Sequence, residues 1–199
     1  MSKKKLILII LALLVLDQLV KLIVKTTMTL DQSITIFPYW FFIRFIENPG
    51  AAFGFLPGGE AGKVALSLFR IVAVGVLVWY LDRLLKKGAP TGVIVGFALI
   101  TAGAAGNIFD SMFYGLIFSE STFTQVATAF PPGGGYAGFL HGRVVDMLYF
   151  PVWHGHYPSW FPGVGGDPFT FFSPIFNFAD SYITIGVIYM LLFQRKFFK

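Results

Sequence analysis

Apolar positions fall in four long runs. They cover about residues 6–24, 64–85, 91–118 and 174–193. Each run is long enough to cross a hydrocarbon core of roughly 30 Å as a helix. The first, Leu6 to Val24, follows Lys3, Lys4 and Lys5 and has the basic and apolar regions of a secretory signal peptide. No small-residue cleavage site follows it, and further apolar runs do, so a retained helix is predicted. Two long connections separate the runs. Residues 25–63 contain "ITIFPYWFFIRFIENPGAAFGFL", rich in β-forming residues, and predict short strands at a membrane surface. Residues 119–173 contain "PPGGGYAG" and "WHGHYPSWFPGVGGDP", whose glycines and prolines predict turns and a long loop. Trp153, Tyr157 and Trp160 in that loop suit the headgroup region. No repeat and no second soluble domain is visible, so residues 1–199 are read as one integral-membrane domain.

Charge gives the runs a direction. Lys3–Lys5 precede the first run, Arg83, Lys86 and Lys87 lie between the second and third, and Arg195, Lys196 and Lys199 follow the fourth. With four spans all three clusters fall on one side, which the positive-inside rule makes cytoplasmic. The expected fold is therefore a membrane all-α core of four transmembrane helices with both termini cytoplasmic. The small β-rich element and the long Gly/Pro/aromatic loop then lie on the outer side. Composition agrees, with 56% of the 199 residues hydrophobic and only 13% charged, about half the charged share of a soluble domain. The chain has no cysteine, which excludes disulfides and thiolate chemistry. The net charge of +5 does not point to nucleic acid, because the basic residues sit at the ends of apolar runs.

Against this background a few polar residues stand out. Asp17 and Lys21 are four apart in the first run and can pair on one helix face, either as a tie between helices or beside a substrate. In "ENPGAAFG", Asn48 precedes Gly50, Ala51 and Ala52, small residues that suit close backbone approach or simply a tight turn before Phe53. In "TAGAAGNIFDS", Gly103 and Gly106 make a flat surface for helix packing, and Asn107 and Asp110 share a face, which an interhelical hydrogen bond would also explain. "FNFADSYITIG" opens the fourth run with Asn177, Ala179 and Asp180. A helix starting near Pro174 would place Asp180 about 9 Å along it, just inside the outer interface. Asp146, in "HGRVVDML", can reach the same level. Two carboxylates converging there would share a proton, so one could activate water while the other hydrogen-bonds a carbonyl. The same acids fit a small proton-coupled transporter, and a scaffold without chemistry is a third reading. A carrier, however, would place acids near the midplane and show related halves. His141, His154 and His156 lack a ligand pattern and are read as surface or interfacial residues.

Taken together and in order, "LDQLVK", "ENPGAAFG", "TAGAAGNIFD" with "GRVVDML", and "FNFAD" resemble the lipoprotein signal peptidases (signal peptidase II). The resemblance spans nearly the whole chain. It implies an intramembrane aspartyl endopeptidase of the bacterial inner (cytoplasmic) membrane, with its active site toward the periplasmic face. Such an enzyme cuts the signal peptide from a diacylglyceryl-modified prolipoprotein just before the lipid-bearing cysteine. It places the catalytic pair on Asp146 and Asp180 and supporting roles on Asp17, Lys21, Asn48, Asn107, Asp110 and Asn177. Gly50, Gly103 and Ala179 match the family's small positions. The implied partners are the prolipoproteins, membrane lipids and cyclic-peptide inhibitors such as globomycin; no cofactor or metal is implied. Two departures stand out. Ser111 follows Asp110 where the family usually has an arginine, so that cation is either tolerated as missing or replaced, with Arg143 as a candidate. The segments from Asp110 to Asp146 and from Asp146 to Asp180 are longer than the family pattern; residues 119–173 are read as lying on the outer-leaflet interface beside the pair, with a docking surface for another envelope protein or an insertion without a role as the alternatives.

Overall fold

A computed structural model describes residues 1–50 and 59–198. Ala51 and Ala52, read above as suiting close backbone approach or a tight turn before Phe53, lie outside the described residues, as does Phe53. Four helices form the core: α1 Lys3–Thr27, α2 Gly59–Lys86, α3 Thr91–Ile117 and α4 Phe178–Phe193. The first three are long and apolar enough to cross a membrane, while α4 is shorter, with 16 residues. Six strands accompany them: β1 Ser33–Phe37, β2 Phe41–Asn48, β3 Val144–Tyr149, β4 Trp153–His156, β5 Pro168–Phe171 and β6 Ile175–Phe176.

Helix α3 is central and packs against α1, α2 and α4. Its glycines make this possible. A Cβ on Gly103 would run into the carbonyl oxygen of Ala179, and one on Gly106 would lie 2.6 Å from Asp17 Oδ2. The first turn of α4 is therefore seated directly on the α3 backbone, an approach that only small residues permit. The opposite surfaces of α1, α2 and α4 expose Leu8, Ile23, Phe69, Val72, Leu191 and Leu192. Such faces suit lipid rather than water, and mark a multi-pass membrane protein. One apolar cluster, including Leu6, Leu81, Ile94 and Met190, closes the bundle at the ends of α1 and α4 that carry the basic residues. Another, including Met28, Phe45, Tyr114, Phe118 and Met147, joins the opposite ends of α1 and α3 to the sheet.

The sheet corrects two expectations. Residues 119–173 are not simply a loop, and the β structure is not confined to residues 25–63. The antiparallel order is β1-β2-β3-β6, so both long connections build one sheet. Strand β3 reads VVDMLY and is buried along nearly its whole length. Lying between β2 and β6, it has no solvent face and so shows no alternation for a sequence pattern to detect. A separate β4–β5 hairpin pairs Trp153 with Phe171 and His156 with Pro168. The start of the last helix also differs from expectation. Pro174 does not begin it. Ile175–Phe176 pair with β3, and α4 starts at Phe178 with Asn177 as its cap. Asp180 thus lies in the first helical turn rather than deeper along the helix.

Candidate active site

The site forms where β3, the tip of β2, and helices α2, α3 and α4 meet. Register fixes the first carboxylate: Asp146 stands opposite Ile46 and two residues from the Asn48–Val144 pair. Asn48 donates to Asp146 Oδ2 at 3.2 Å. A capping box fixes the second. The Asn177 side chain accepts from the Asp180 amide at 2.9 Å, and the Asp180 carboxylate accepts from the Asn177 amide at 3.3 Å. This exchange satisfies two otherwise free amides at the helix start. It also holds the Asp180 side chain back over its own N-terminus.

Two asparagines join the carboxylates. Asn177 Nδ2 donates to Asp146 Oδ1 at 2.7 Å and to Asn107 Oδ1 at 3.0 Å. Asn107 Nδ2 donates to Asp180 Oδ1 at 2.7 Å. Asp146 and Asp180 line one cavity of about 260 Å³ with Asn48, Gly50, Arg70, Asn107 and Val144. Burial, and secondarily the Asp180 charge, pushes the Asp146 carboxyl up to about 7, against hydrogen bonds from Asn48 and Asn177 that favour its ionised form. The Asp146 carboxyl therefore keeps its proton to a higher pH than an ordinary carboxyl does.

Beneath the cavity lies a buried ionic layer. Lys21 Nζ is 3.0 Å from Asp17 Oδ2, 2.8 Å from Asp110 Oδ2 and 2.9 Å from Asn107 Oδ1. The three acceptors account for the three N–H groups of the ammonium. Each acid then holds a different element. Asp17 Oδ1 accepts the Ala179 amide at 3.0 Å, tying α1 to the start of α4. Asp110 Oδ2 accepts the Val145 amide at 3.3 Å, tying α3 to the strand residue beside Asp146.

The structure thus brings Asn48, Gly50, Asn107, Asn177, Asp146 and Asp180 around one space, with Asp17, Lys21 and Asp110 behind them. Gly103 and Ala179 form the α3–α4 contact. Arg143 is elsewhere. Its guanidinium meets Glu47 at 3.1 Å and Glu120 at 3.2 Å, so it does not serve Asp110, whose cation is Lys21. Glu47 also receives Lys25 and the Ser121 hydroxyl, a second buried cluster that pins β2 and the 119–143 segment to the end of α1. Residue-by-residue reading missed Gln18, which donates to Asp110 Oδ1 at 2.8 Å and to Asp17 Oδ2 at 3.1 Å. It also missed Arg70, whose guanidinium donates to the Gly50 carbonyl. Both carried a signal, since each is a polar side chain within an apolar run. Among the described residues no group of three or more His, Asp or Glu could hold a metal.

A family model described as signal peptidase (SPase) II matches residues 9–196. The chain belongs to the signal peptidase II family. A relative from Porphyromonas gingivalis, called lipoprotein signal peptidase, is 53% identical over 185 residues, which cover 92% of this chain and 80% of the relative. Another of that name, from Amoebophilus asiaticus, is 37% identical over 185 residues, covering 91% and 73%. Two solved structures described as a bacterial membrane enzyme are similar throughout. One has a TM-score of 0.63 at 26% identity, covering 98% of this chain and 89% of its own. The other has 0.62 at 28% identity, covering 96% and 92%. Family membership marks the chain as a signal peptidase. The proton-coupled carrier suggested by buried acids alone finds no support in these matches.

Proposed function

We propose that this signal peptidase is an aspartyl endopeptidase that removes the signal peptide from diacylglyceryl-modified prolipoproteins, cutting just before the lipid-bearing cysteine. The substrate class rests on the shared name of the relatives. One observation carries the mechanism: Asp146 and Asp180, from a strand and a helix distant in sequence, line the same cavity and are bridged by Asn107 and Asn177.

Asp146, the more buried carboxyl, holds the proton and donates it as a hydrogen bond to the scissile carbonyl oxygen. Asp180 is only partly buried and takes a proton from the attacking water. The water oxygen bonds to the carbonyl carbon, the tetrahedral species collapses, and the amine nitrogen leaves with a proton from the pair. Asn48, Asn107 and Asn177 hold the carboxylates, while Asp17, Lys21 and Asp110 hold the elements that carry them.

In this reading α4 is the fourth span, with Asp180 at its outer end, and both termini are cytoplasmic. The basic residues at one end of the bundle favour that direction. The cavity then opens toward the periplasmic face of a bacterial inner membrane, where a lipid-anchored cleavage site would sit. Cyclic peptides such as globomycin are expected to compete for the cavity.

The decisive assay uses purified protein in detergent with a diacylglyceryl-modified prolipoprotein peptide. Asp146→Asn and Asp180→Asn are each expected to lower kcat by on the order of 10²–10⁴-fold while the protein stays folded. Near-normal turnover by either variant would remove that aspartate from the chemistry.

A further inference from the structure

The second helix contributes a charge to the cavity. Arg70 sits within the apolar run of α2, nearer its start than its basic end, and lines the cavity with Asp146 and Asp180. A guanidinium in such a helix is costly to keep without a protein or water partner. It carries five N–H donors in a planar fork. Among the described residues its one hydrogen bond goes to the Gly50 carbonyl, and it makes no ion pair, although the Asp180 charge acts on it. Gly50 has φ 98°, a conformation that favours glycine, and a Cβ there would lie 3.1 Å from an Arg70 Nη. Glycine therefore both presents its carbonyl and leaves room for the guanidinium.

The other donors at the cavity are aimed at the carboxylates. Asn48 serves Asp146, Asn107 serves Asp180, and Lys21, behind them, has all three N–H groups engaged. Arg70 is thus the cation on the cavity wall, among the described residues, with N–H groups left for a ligand. The ligand that the reaction generates there is an oxygen that gains negative charge.

We propose that Arg70 is a catalytic residue whose remaining guanidinium N–H groups take the scissile carbonyl oxygen as water adds. This rests on the peptidase reading above. As the water oxygen bonds to the carbonyl carbon, the C=O π pair moves onto the carbonyl oxygen, and the water proton passes to Asp180. The oxygen has lone pairs for both the Asp146 hydroxyl and Arg70. When the intermediate collapses, the pair returns to re-form C=O, the C–N bond breaks, and the amine nitrogen takes the proton. A donor fixed in advance where charge develops stabilises the transition state more than the bound substrate.

The test compares wild type, Arg70→Gln and Arg70→Ala on the lipid-modified peptide, with thermal unfolding in detergent measured alongside. Arg70→Gln is expected to lose kcat by about 10²–10³-fold, the usual effect of removing one such donor, with KM changed far less. Added methylguanidinium is expected to restore part of the turnover of Arg70→Ala, including where that variant melts lower than wild type. Three results would each overturn the proposal: Arg70→Gln turnover within about twofold of wild type, a loss confined to KM, or no rescue of Arg70→Ala. An inactive wild type would instead remove the peptidase reading, and this inference with it.

Discussion

Asn177 bonds both members of the pair at once: its side chain donates to the Asp146 carboxylate at 2.7 Å and accepts the backbone amide of Asp180 at 2.9 Å. One residue therefore caps the helix that carries one acid and bonds the acid on the neighbouring strand. Asn177→Ala removes the cap and the side-chain bonds to Asp146 and Asn107. Loss of the cap alone is expected to cost about 1 kcal/mol. Turnover is expected to fall further than the stability loss explains, because Asp146 and Asp180 lose their common anchor. Thermal unfolding in detergent and kcat on one preparation check this. A variant that melts lower but turns over normally would reduce Asn177 to a helix cap.

The buried position of Asp146 sets a pH dependence. Its carboxyl is raised from 3.8 to about 7, so between those values the folded protein holds a proton that the unfolded chain releases. The stability from this group is fully present below the unfolded value and is lost as pH rises to about 7, above which the loss is constant. Activity has the same direction if protonated Asp146 is the acid. The kcat/KM profile is expected to fall about tenfold per pH unit above an apparent value near 7, which belongs to the coupled pair. A flat profile from about pH 6 to about pH 9 would rule out that role.

Lys21 is fully buried between two acids. Lys21→Met leaves Asp17 and Asp110 without their cation in a low-dielectric interior. Breaking one partner out of such a pair costs about 3–5 kcal/mol. Because Asp17 holds Ala179 and Asp110 holds Val145, the loss also frees the elements carrying Asp180 and Asp146. A sharply lower melting temperature together with lost turnover is the expected outcome. Unchanged melting with lost turnover would move Lys21 from support into the chemistry.

Much of this was legible in the chain, for physical reasons that also explain the exceptions. The first three helices are apolar runs that can only be satisfied in a bilayer or a helical core, and Asp17 with Lys21 is a spacing that a helix makes into a pair. The strand of Asp146 was hidden because a strand buried on both faces looks like any apolar run. The true start of α4 was hidden because Asn177 caps it from a position three residues beyond Pro174. Arg143 looked like the cation for Asp110 from its nearness to Asp146 in sequence, but sequence nearness does not say which way a side chain leaves a strand. Arg70 was visible as a charge within an apolar run. Its closeness to Gly50 and Asp180 is a tertiary fact that no spacing encodes.

The β4–β5 hairpin supports a last prediction. Trp153 is 62% exposed and Trp160 is 76% exposed, with Phe171 beside Trp153 in the pairing. Such rings are costly to leave in water and are well accommodated at the headgroup level of a bilayer. The hairpin leaves the sheet just after β3, so it stands near the strand that carries Asp146. It is expected to lie on the outer-leaflet interface and to help seat the lipid-bearing substrate. Because Trp153 and Phe171 are paired, residues 154–170 can be replaced by a short turn without pulling β3 or β6 apart. Without the hairpin, KM for the lipidated peptide is expected to rise about tenfold, the equivalent of about 1.4 kcal/mol, with kcat largely kept. In full-length protein with Trp40 and Trp79 replaced by phenylalanine, lipid-borne quenchers are expected to dim Trp153 and Trp160. Unquenched fluorescence together with unchanged kinetics in a bilayer would show that the hairpin neither touches lipid nor serves the substrate.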